Sequence, residues 1–423
     1  MANSFSKEER VAFEDILGGF NDALVLSSLV NKYNTTGSQM ERSSDTIWRP
    51  MPYIAQSYDG SDATSNFADN TQLAVPATIG YQKHSTALLT AKELRDLLQE
   101  QRLGQAAAQK LASDINVAVL GVASNQGTIV VKRSTAASGY ADVAEADAVM
   151  NEQGISMSDR NFALSSRDYN GMASDLAARQ TINEMPTEAY RRSYVGEVAG
   201  FQTYKMDYAN RLTAAAGVTV TVNGASQRHV PKATSTASTG ETANVDNRTQ
   251  SLTIGVTSGA VKVGDAFTIA GVNSVHHITK QDTGQRKTFR VVGIVSGAGG
   301  AGVVKISPAI VAADSSPTDA ELQYKNVTAT PANGAAITFL NTASASINCF
   351  WHRDAIELLP ASLAVPSDAG ADIMRATTDQ GLELVMQKQF DINTQKTKYR
   401  WDTLFGVALV QPEMAGVMLF SQT

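Results

Sequence analysis

Between residues 217 and 345 the chain changes character. This stretch holds 14 of the chain's 31 glycines, where an even spread would place about nine. Threonine and valine are abundant in it. The runs QSLTIGV, DAFTIAGV, KTFRVVGIV and VVKIS alternate in polarity and break at glycine turns, which predicts a small all-β domain. Within it, RHVPKATSTASTGETANVDNR (228–248) reads as a long polar loop with charges at both ends. Loops of that length in compact domains are usually functional or disordered. The sequence on either side mixes helical and strand patterns, so the simplest organisation is one α+β domain interrupted by a β insertion.

The flanks divide further. Residues 1–40 open on an amphipathic helix, with Val11, Phe13, Ile16, Leu17, Phe20 and Leu24 mostly at three- and four-residue spacing; Gly18 and Gly19 weaken its middle. Residues 41–84 carry β-branched and aromatic residues with prolines at 50, 52 and 76, which confine strands to edges. With the polar link DGSDATSNFADN between them they predict a two-stranded ribbon, which is marginal by itself and needs a surface to lie on. Over 86–123, Leu94, Leu97, Leu98, Ala107, Ala108, Leu111, Ile115, Ala118, Val119 and Val122 mark one face of a helix, far longer than the mean of about 11–12 residues, with Gly104 as a point for a bend. ADVAEADAVMNEQ reads as helix, FALSSRDYNGMASDL as strand then helix, and NCFWHRDAIELL as strand then short helix. LELVMQKQFDINTQKTKYRWDTLFGVALV reads as two strands around a polar turn.

Signatures of chemistry are sparse. Gly297, Gly299 and Gly302 in SGAGGAG have dinucleotide-fingerprint spacing, but a strand comes next where the fingerprint requires a helix, so a hairpin turn is the better reading. His276 and His277 are adjacent, with Asp282 nearby; neighbours on a strand point to opposite faces, which disfavours a shared metal and suggests a solvated loop pair. His84, His229 and His352 are isolated. Cys349 reads as a small buried hydrophobe, and as a single cysteine it excludes a disulfide framework and a CxxC pair. Paired carboxylates such as Glu14–Asp15 or Asp368 and Asp372 have no recognisable catalytic frame. Trp48, Trp351 and Trp401 read as core anchors. We therefore expect no catalytic residue, no cofactor and no metal.

At the residue level, MERSSDTIWRP (40–50), PTEAYRR (186–192), NVDNR (244–248), FWHRDAIEL (350–358) and PEMAGV (412–417) resemble, in this order, the coat proteins of short-tailed phages of Salmonella and Shigella. Those are major capsid proteins of the Hong Kong 97-like fold. The resemblance implies an α+β fold with a long spine helix, an extended β-loop and an axial domain, plus an inserted six-stranded-type β-barrel. Residues 1–40 would be the N-arm, 41–84 the extended loop, 85–139 the spine helix and peripheral domain, 140–217 the first part of the axial domain, 218–344 the insertion barrel, and 345–423 the second axial and peripheral part. The loop at 228–248 would reach a neighbouring capsomer, and NSVHHITKQDTGQRK (273–287) would be a second exposed loop, tied to assembly fidelity.

The same resemblance implies a structural protein that closes an icosahedral shell of pentamers and hexamers. It would work with a scaffolding protein and a portal protein, and enclose double-stranded DNA without reading its sequence. Inter-subunit contact candidates are Arg228, Lys232, Glu241, Asp246, Arg248, Trp48 and Arg49, and scaffolding-contact candidates are Glu14 and Asp15. The composition agrees with that role. Charged residues make up 18% of the chain, below the usual share of about 25%, as expected of a surface that meets other copies. A net charge of −6 lacks the basic footprint of a nucleic-acid binder. The N-terminal sequence is charged where a signal peptide is apolar, and no run approaches the roughly 20 apolar residues of a membrane span. The expected location is the virion, after assembly in the host cytoplasm. Two other readings stay open: an enzyme with an accessory β-barrel, motivated by the His276/His277/Asp282 group, and a decoration or tail protein, motivated by the Thr/Gly-rich β region.

Overall fold

The structure, a computed structural model, describes residues 7–33, 46–93 apart from 53, 58, 65, 66 and 68, 97–178, 196–215, 217–314, 316–365 and 370–423. Residues 40–45, the PTEAYRR stretch and Asp368 lie outside the described residues. The chain forms two compact units. One comprises Met1–Ile47, Ala77–Leu120 and Ile356–Ala408; the other comprises Trp48–Pro76, Gly121–Ala355 and Leu409–Thr423.

In the first unit the helix Lys7–Ala23 continues through its glycine pair and buries Phe13, Ile16 and Phe20, while Glu14 and Asp15 face solvent. Its last carbonyls are capped from elsewhere, as helix ends require: Asn116 Nδ2 donates to the Ala23 carbonyl at 3.0 Å and Gln380 Nε2 to that of Leu24 at 3.1 Å. The helix Leu97–Gln126 buries Ala107, Ala108, Leu111, Ile115 and Val119. Gly104 in it is a contact point, because a Cβ there would overlap the Ile16 side chain.

The helical pattern expected from residue 86 starts later. Tyr81–Thr90 is a strand, paired antiparallel with Lys396–Phe405, and its exposure alternates, with Gln82, His84, Thr86 and Leu88 outward. That period of two outcompetes the helix there. The unit's sheet runs in the order Asn31–Lys32, Ile356–Ala361, Lys396–Leu409, Glu383–Asp391, Asp372–Thr377, with Tyr81–Thr90 also on Lys396–Leu409. Trp401 and Tyr399 stack at 5.9 Å between centroids, both buried. Ile356–Ala361 was expected to be helical and is instead a strand with four buried residues; a short apolar run cannot be assigned by periodicity alone.

In the second unit a six-stranded sheet runs Ile129–Lys132, Ala415–Leu419, Asn348–His352, Arg160–Ser165, Phe201–Met206, Glu197–Val198. The helices Tyr140–Glu152 and Ser166–Ala178 contribute Val143, Met150, Tyr169 and Met172 to the same core as Phe162, Phe201 and Phe350. Arg160, with its side chain fully buried, pairs with Asp147 and donates to Asn151 Oδ1 and the Ile155 carbonyl. It thereby holds the turn after the first helix against the sheet.

The chain leaves this sheet after Met206 and returns at Asn348. Between them lies a closed six-stranded barrel in the order Thr219–Val222, Gln250–Ser258, Gly302–Ser307, Asp282–Ile294, Ala266–Val275, Ala336–Phe339. Its inward residues, among them Leu252, Ile254, Phe267, Phe289, Val291, Val304 and Ile306, form one core. The entering and leaving segments pair with each other, Leu212 opposite Ala345 and Arg211 opposite Ser346. Beside them buried Asn341 donates to the Thr213 carbonyl and to Asp265, both at 2.9 Å. A barrel inserted in this way closes its own neck.

Candidate functional site

Two polar regions of the barrel-bearing unit carry the features that the sequence singled out. The first is the 228–248 segment. It is not all loop: Thr234–Thr236 pairs with Thr242–Asn244, and every residue of both strands is exposed. A ribbon without a covered face has little stability of its own, so its base must hold it. Asn247 does this. Its Oδ1 accepts from the Lys232 amide at 3.1 Å and lies 2.9 Å from His229 Nε2, while its Nδ2 donates to the carbonyls of Lys232 and Val245.

The charged residues of this segment split into two kinds. Arg228 pairs with Glu321 at 2.9 Å, and Glu321 is buried. Glu321 also completes a capping box with Thr318 at the start of the Asp319–Tyr324 helix, an arrangement signalled in sequence by T-x-x-E. Arg248 pairs with Asp246 at 2.7 Å and donates to the Leu409 carbonyl at 2.7 Å. Burial pushes the Asp246 carboxyl up, but Arg248 outweighs it and the pKa falls below the usual value. Lys232 and Glu241 remain exposed. Trp48 and Arg49 are half-buried on the strand Thr46–Pro50, which pairs with Ala74–Thr78, so of the three tryptophans only Trp351 and Trp401 are fully buried. Asp15 accepts from Gln101 Nε2 at 2.9 Å.

The second region, 273–287, joins the strands Ala266–Val275 and Asp282–Ile294 through the turn 276–281; Ile278, Thr279, Gln281, Asp282 and 284–286 are exposed, while its other face is buried. Along Asp282–Ile294, Phe289 and Val291 point into the barrel, while Thr288 and Arg290 meet the strand Ile129–Lys132 and its approach. Thr288 Oγ1 donates to the Thr128 carbonyl at 2.7 Å, and Arg290 is fully buried. Lys287 lies buried 2.5 Å from Glu413 Oε1. Asn326 Nδ2 donates to the same oxygen at 3.0 Å, and His277 Nδ1 stands 4.0 Å from Oε2. Burial raises the Glu413 pKa, yet Lys287, His277 and Asn326 together bring it down to about 2. His277 is pushed down to about 4, first by burial and then by Lys287, Lys280 and His276, against the pull of Glu413. Burial also lowers Lys280 to about 8. At neutral pH this leaves an ionised Glu413 against Lys287, beside a neutral His277 imidazole.

The histidine pair does not converge. The His277 amide donates to the Gln153 carbonyl, whereas His276 Nδ1 accepts from the amides of Ile278 and Thr279. The His276 ring packs over Gly154, where a Cβ would lie 2.5 Å from it and where φ is +79°. Asp282 turns to Asn273 and the Gly284 amide. Among the described residues no group of three potential ligands is placed to hold a metal. The glycines at 297–302 form a turn leading into the strand Gly302–Ser307. Cys349 is fully buried, and burial pushes its thiol up to about 12.

The family described as P22 coat protein, gene protein 5, matches residues 1–421. Among solved structures, the CUS-3 coat protein I-domain is 44% identical over 30% of this chain and 98% of its own length, with a TM-score of 0.23. A structure from Mycobacterium phage Che8 is 10% identical, covering 93% of this chain and 90% of its own, with a TM-score of 0.44. The head structure of Helicobacter pylori bacteriophage KHP40 is 10% identical, covering 90% and 86%, with a TM-score of 0.42. The assignment of a family rests on the first of these matches.

Proposed function

This chain belongs to the P22 coat protein family, and on that premise we propose how it works. It is a structural major capsid protein, a component of a phage virion that assembles with its own copies into an icosahedral shell. The observation that carries this is the family match along nearly the whole chain. In our reading the shell is built of pentamers and hexamers with a Hong Kong 97-like arrangement of N-arm, extended loop, spine helix and axial domain. The phage is of the short-tailed type, and assembly takes place in the host cytoplasm with a scaffolding and a portal protein. The net charge of −6 suits a container, since a basic lining would hold double-stranded DNA through its phosphates and hinder its passage.

The exposed hairpin fits the part of a reversible contact between capsomers. Lys232 and Glu241 face solvent there, and exposed ion pairs contribute only about 0–1 kcal/mol each. Contacts that weak let a misplaced subunit leave, while like charges brought together reject the wrong register.

Electron microscopy of the purified chain, alone and with the scaffolding protein, tests the reading. Closed shells are expected; monomers or dimers under both conditions overturn it. For the scaffolding contact, a Glu14→Lys, Asp15→Lys double variant is expected to lose scaffold-dependent assembly, and added salt to weaken it. Assembly unchanged by both places the docking site elsewhere.

A further inference from the structure

Within the barrel-bearing unit lies an open pocket of about 240 Å³, with Met51, Ile54, Ile155, Ile278 and Met414 on its apolar side, Tyr324 on its wall, and His277 and Glu413 of the buried cluster at its polar side. A cavity of about 150 Å³ with aliphatic and aromatic walls holds benzene, so this one has room for a phenyl ring. The same unit carries a phenyl ring without cover: Phe67 is 87% exposed and sits in the otherwise polar link SDATSNFADN.

The chain just beyond Phe67 is anchored to the short helix Asp319–Tyr324. The Asp69 amide donates to Asp319 Oδ2 at 3.4 Å, the Thr71 amide to Gln323 Oε1 at 3.2 Å, and the Tyr324 hydroxyl to the Thr71 carbonyl at 2.9 Å. A fixed base presents the ring outward although the pocket shares Tyr324 with that base.

We propose that Phe67 of one copy fills this pocket on the next copy, using Ile278, itself 68% exposed, as the rim. A knob and a hole at different places on one subunit make a head-to-tail contact. Such contacts close into rings where the rotation from copy to copy closes, and run on as open filaments where it does not; a capsomer needs the first. A buried aromatic anchor is also the usual centre of a binding hot spot. The inference rests on the shell-forming reading above and adds to it the partner residue and its receptor.

The test uses the full chain with Phe67→Cys and Ile278→Cys together, the native Cys349 being fully buried. After mild oxidation, assembled particles are expected to give a ladder of disulfide-linked chains on a non-reducing gel, and either single variant none. In a separate Phe67→Ala chain, the coat concentration needed for shells should rise about tenfold or more, with thermal unfolding of the monomer unchanged. Particles that form without linked chains overturn the contact and leave the shell role standing. So does a disulfide formed within dilute monomers, which would mean that Phe67 occupies its own pocket. An unsubstituted chain that forms no particles overturns both readings.

Discussion

The two polar regions of the barrel-bearing unit use similar residues to opposite ends. Around Glu413 the polar groups are partly or fully buried: Lys287 pairs with it at 2.5 Å, Asn326 donates to it at 3.0 Å, and the neutral His277 ring stands 4.0 Å away. On the hairpin Thr234–Asn244 the side chains face water, and only the base is held, by Asn247. A buried pair is costly to break because the abandoned charge stays desolvated; an exposed charge is cheap to lose. The first arrangement fixes the barrel strand Asp282–Ile294 against the segment around Pro412–Met414, and the second keeps charge available to a neighbour. The contrast turns on burial and not on residue type.

Removing the cation of the buried pair is the sharpest way to break that contrast. Lys287→Met is expected to destabilise the barrel-bearing unit by about 3 kcal/mol, at the lower end for a broken buried pair because Glu413 keeps 21% of its side-chain surface. Urea unfolding monitored by circular dichroism measures it. Lys287→Met combined with Glu413→Leu should cost clearly less than the sum of the two single changes, since no charge is then stranded. Simple additivity would mean that the pair is solvated and the contrast with the hairpin false.

The next effect is one of pH. His277 titrates near 4 in the folded protein against 6.5 when free. Between those values the unfolded chain binds a proton that the folded one does not, so stability is full above pH 6.5 and falls as the pH drops toward 4. A shift of that size corresponds to about 3 kcal/mol. Below pH 4.5, Glu413, held at about 2, extends the loss in the same direction. His352, whose pKa burial also lowers, adds to the upper window. Thermal melts at pH 7, 5.5 and 4 should therefore fall progressively, and His277→Gln should remove most of the slope above pH 4.5. A variant as acid-sensitive as the parent would assign the window to other groups.

These two regions were unequally legible in the sequence. The barrel strands could be read because period-two alternation and glycine turns are local signals, and the hairpin turn at 297–302 could be read because a strand comes after it. The strand at Ile356–Ala361 and the late start of the helix at Leu97 could not: there, short apolar runs fit both periods until partner strands choose between them. The Glu413 cluster had no local signal at all. Its members come from three separate segments, and the run 273–287 that supplies His277 and Lys287 looks like any polar loop until the barrel folds. Elsewhere in the site two stretches carried a local signal. The T-x-x-E of Thr318 and Glu321 marks a helix start, and Asn247 stands inside the NVDNR stretch, masked there by its charged neighbours.

A smaller effect is expected where the hairpin is clamped. Asn247→Ala removes the hydrogen bonds to the Lys232 and Val245 backbone and should cost about 1 kcal/mol. The loss should be local, seen as faster amide hydrogen exchange across 232–245 with protection of the barrel strands retained. A drop in barrel protection would make the clamp part of the barrel's own stability.

The smallest effect is the most informative about the comparison. Lys232→Ala and Glu241→Ala lie on exposed positions, where substitutions usually stay within about 0.5 kcal/mol, so monomer stability should not change measurably in urea. If these charges serve a neighbouring subunit, their effect must appear in assembly instead. Shell formation should become less sensitive to salt in the variants, because fewer screened charge contacts remain to be lost. Light scattering of assembly at low and moderate salt makes the measurement. A chain whose assembly keeps its salt dependence, with its stability also intact, would show the exposed hairpin charges to be idle and leave the buried cluster as the only one of the two regions with a physical role.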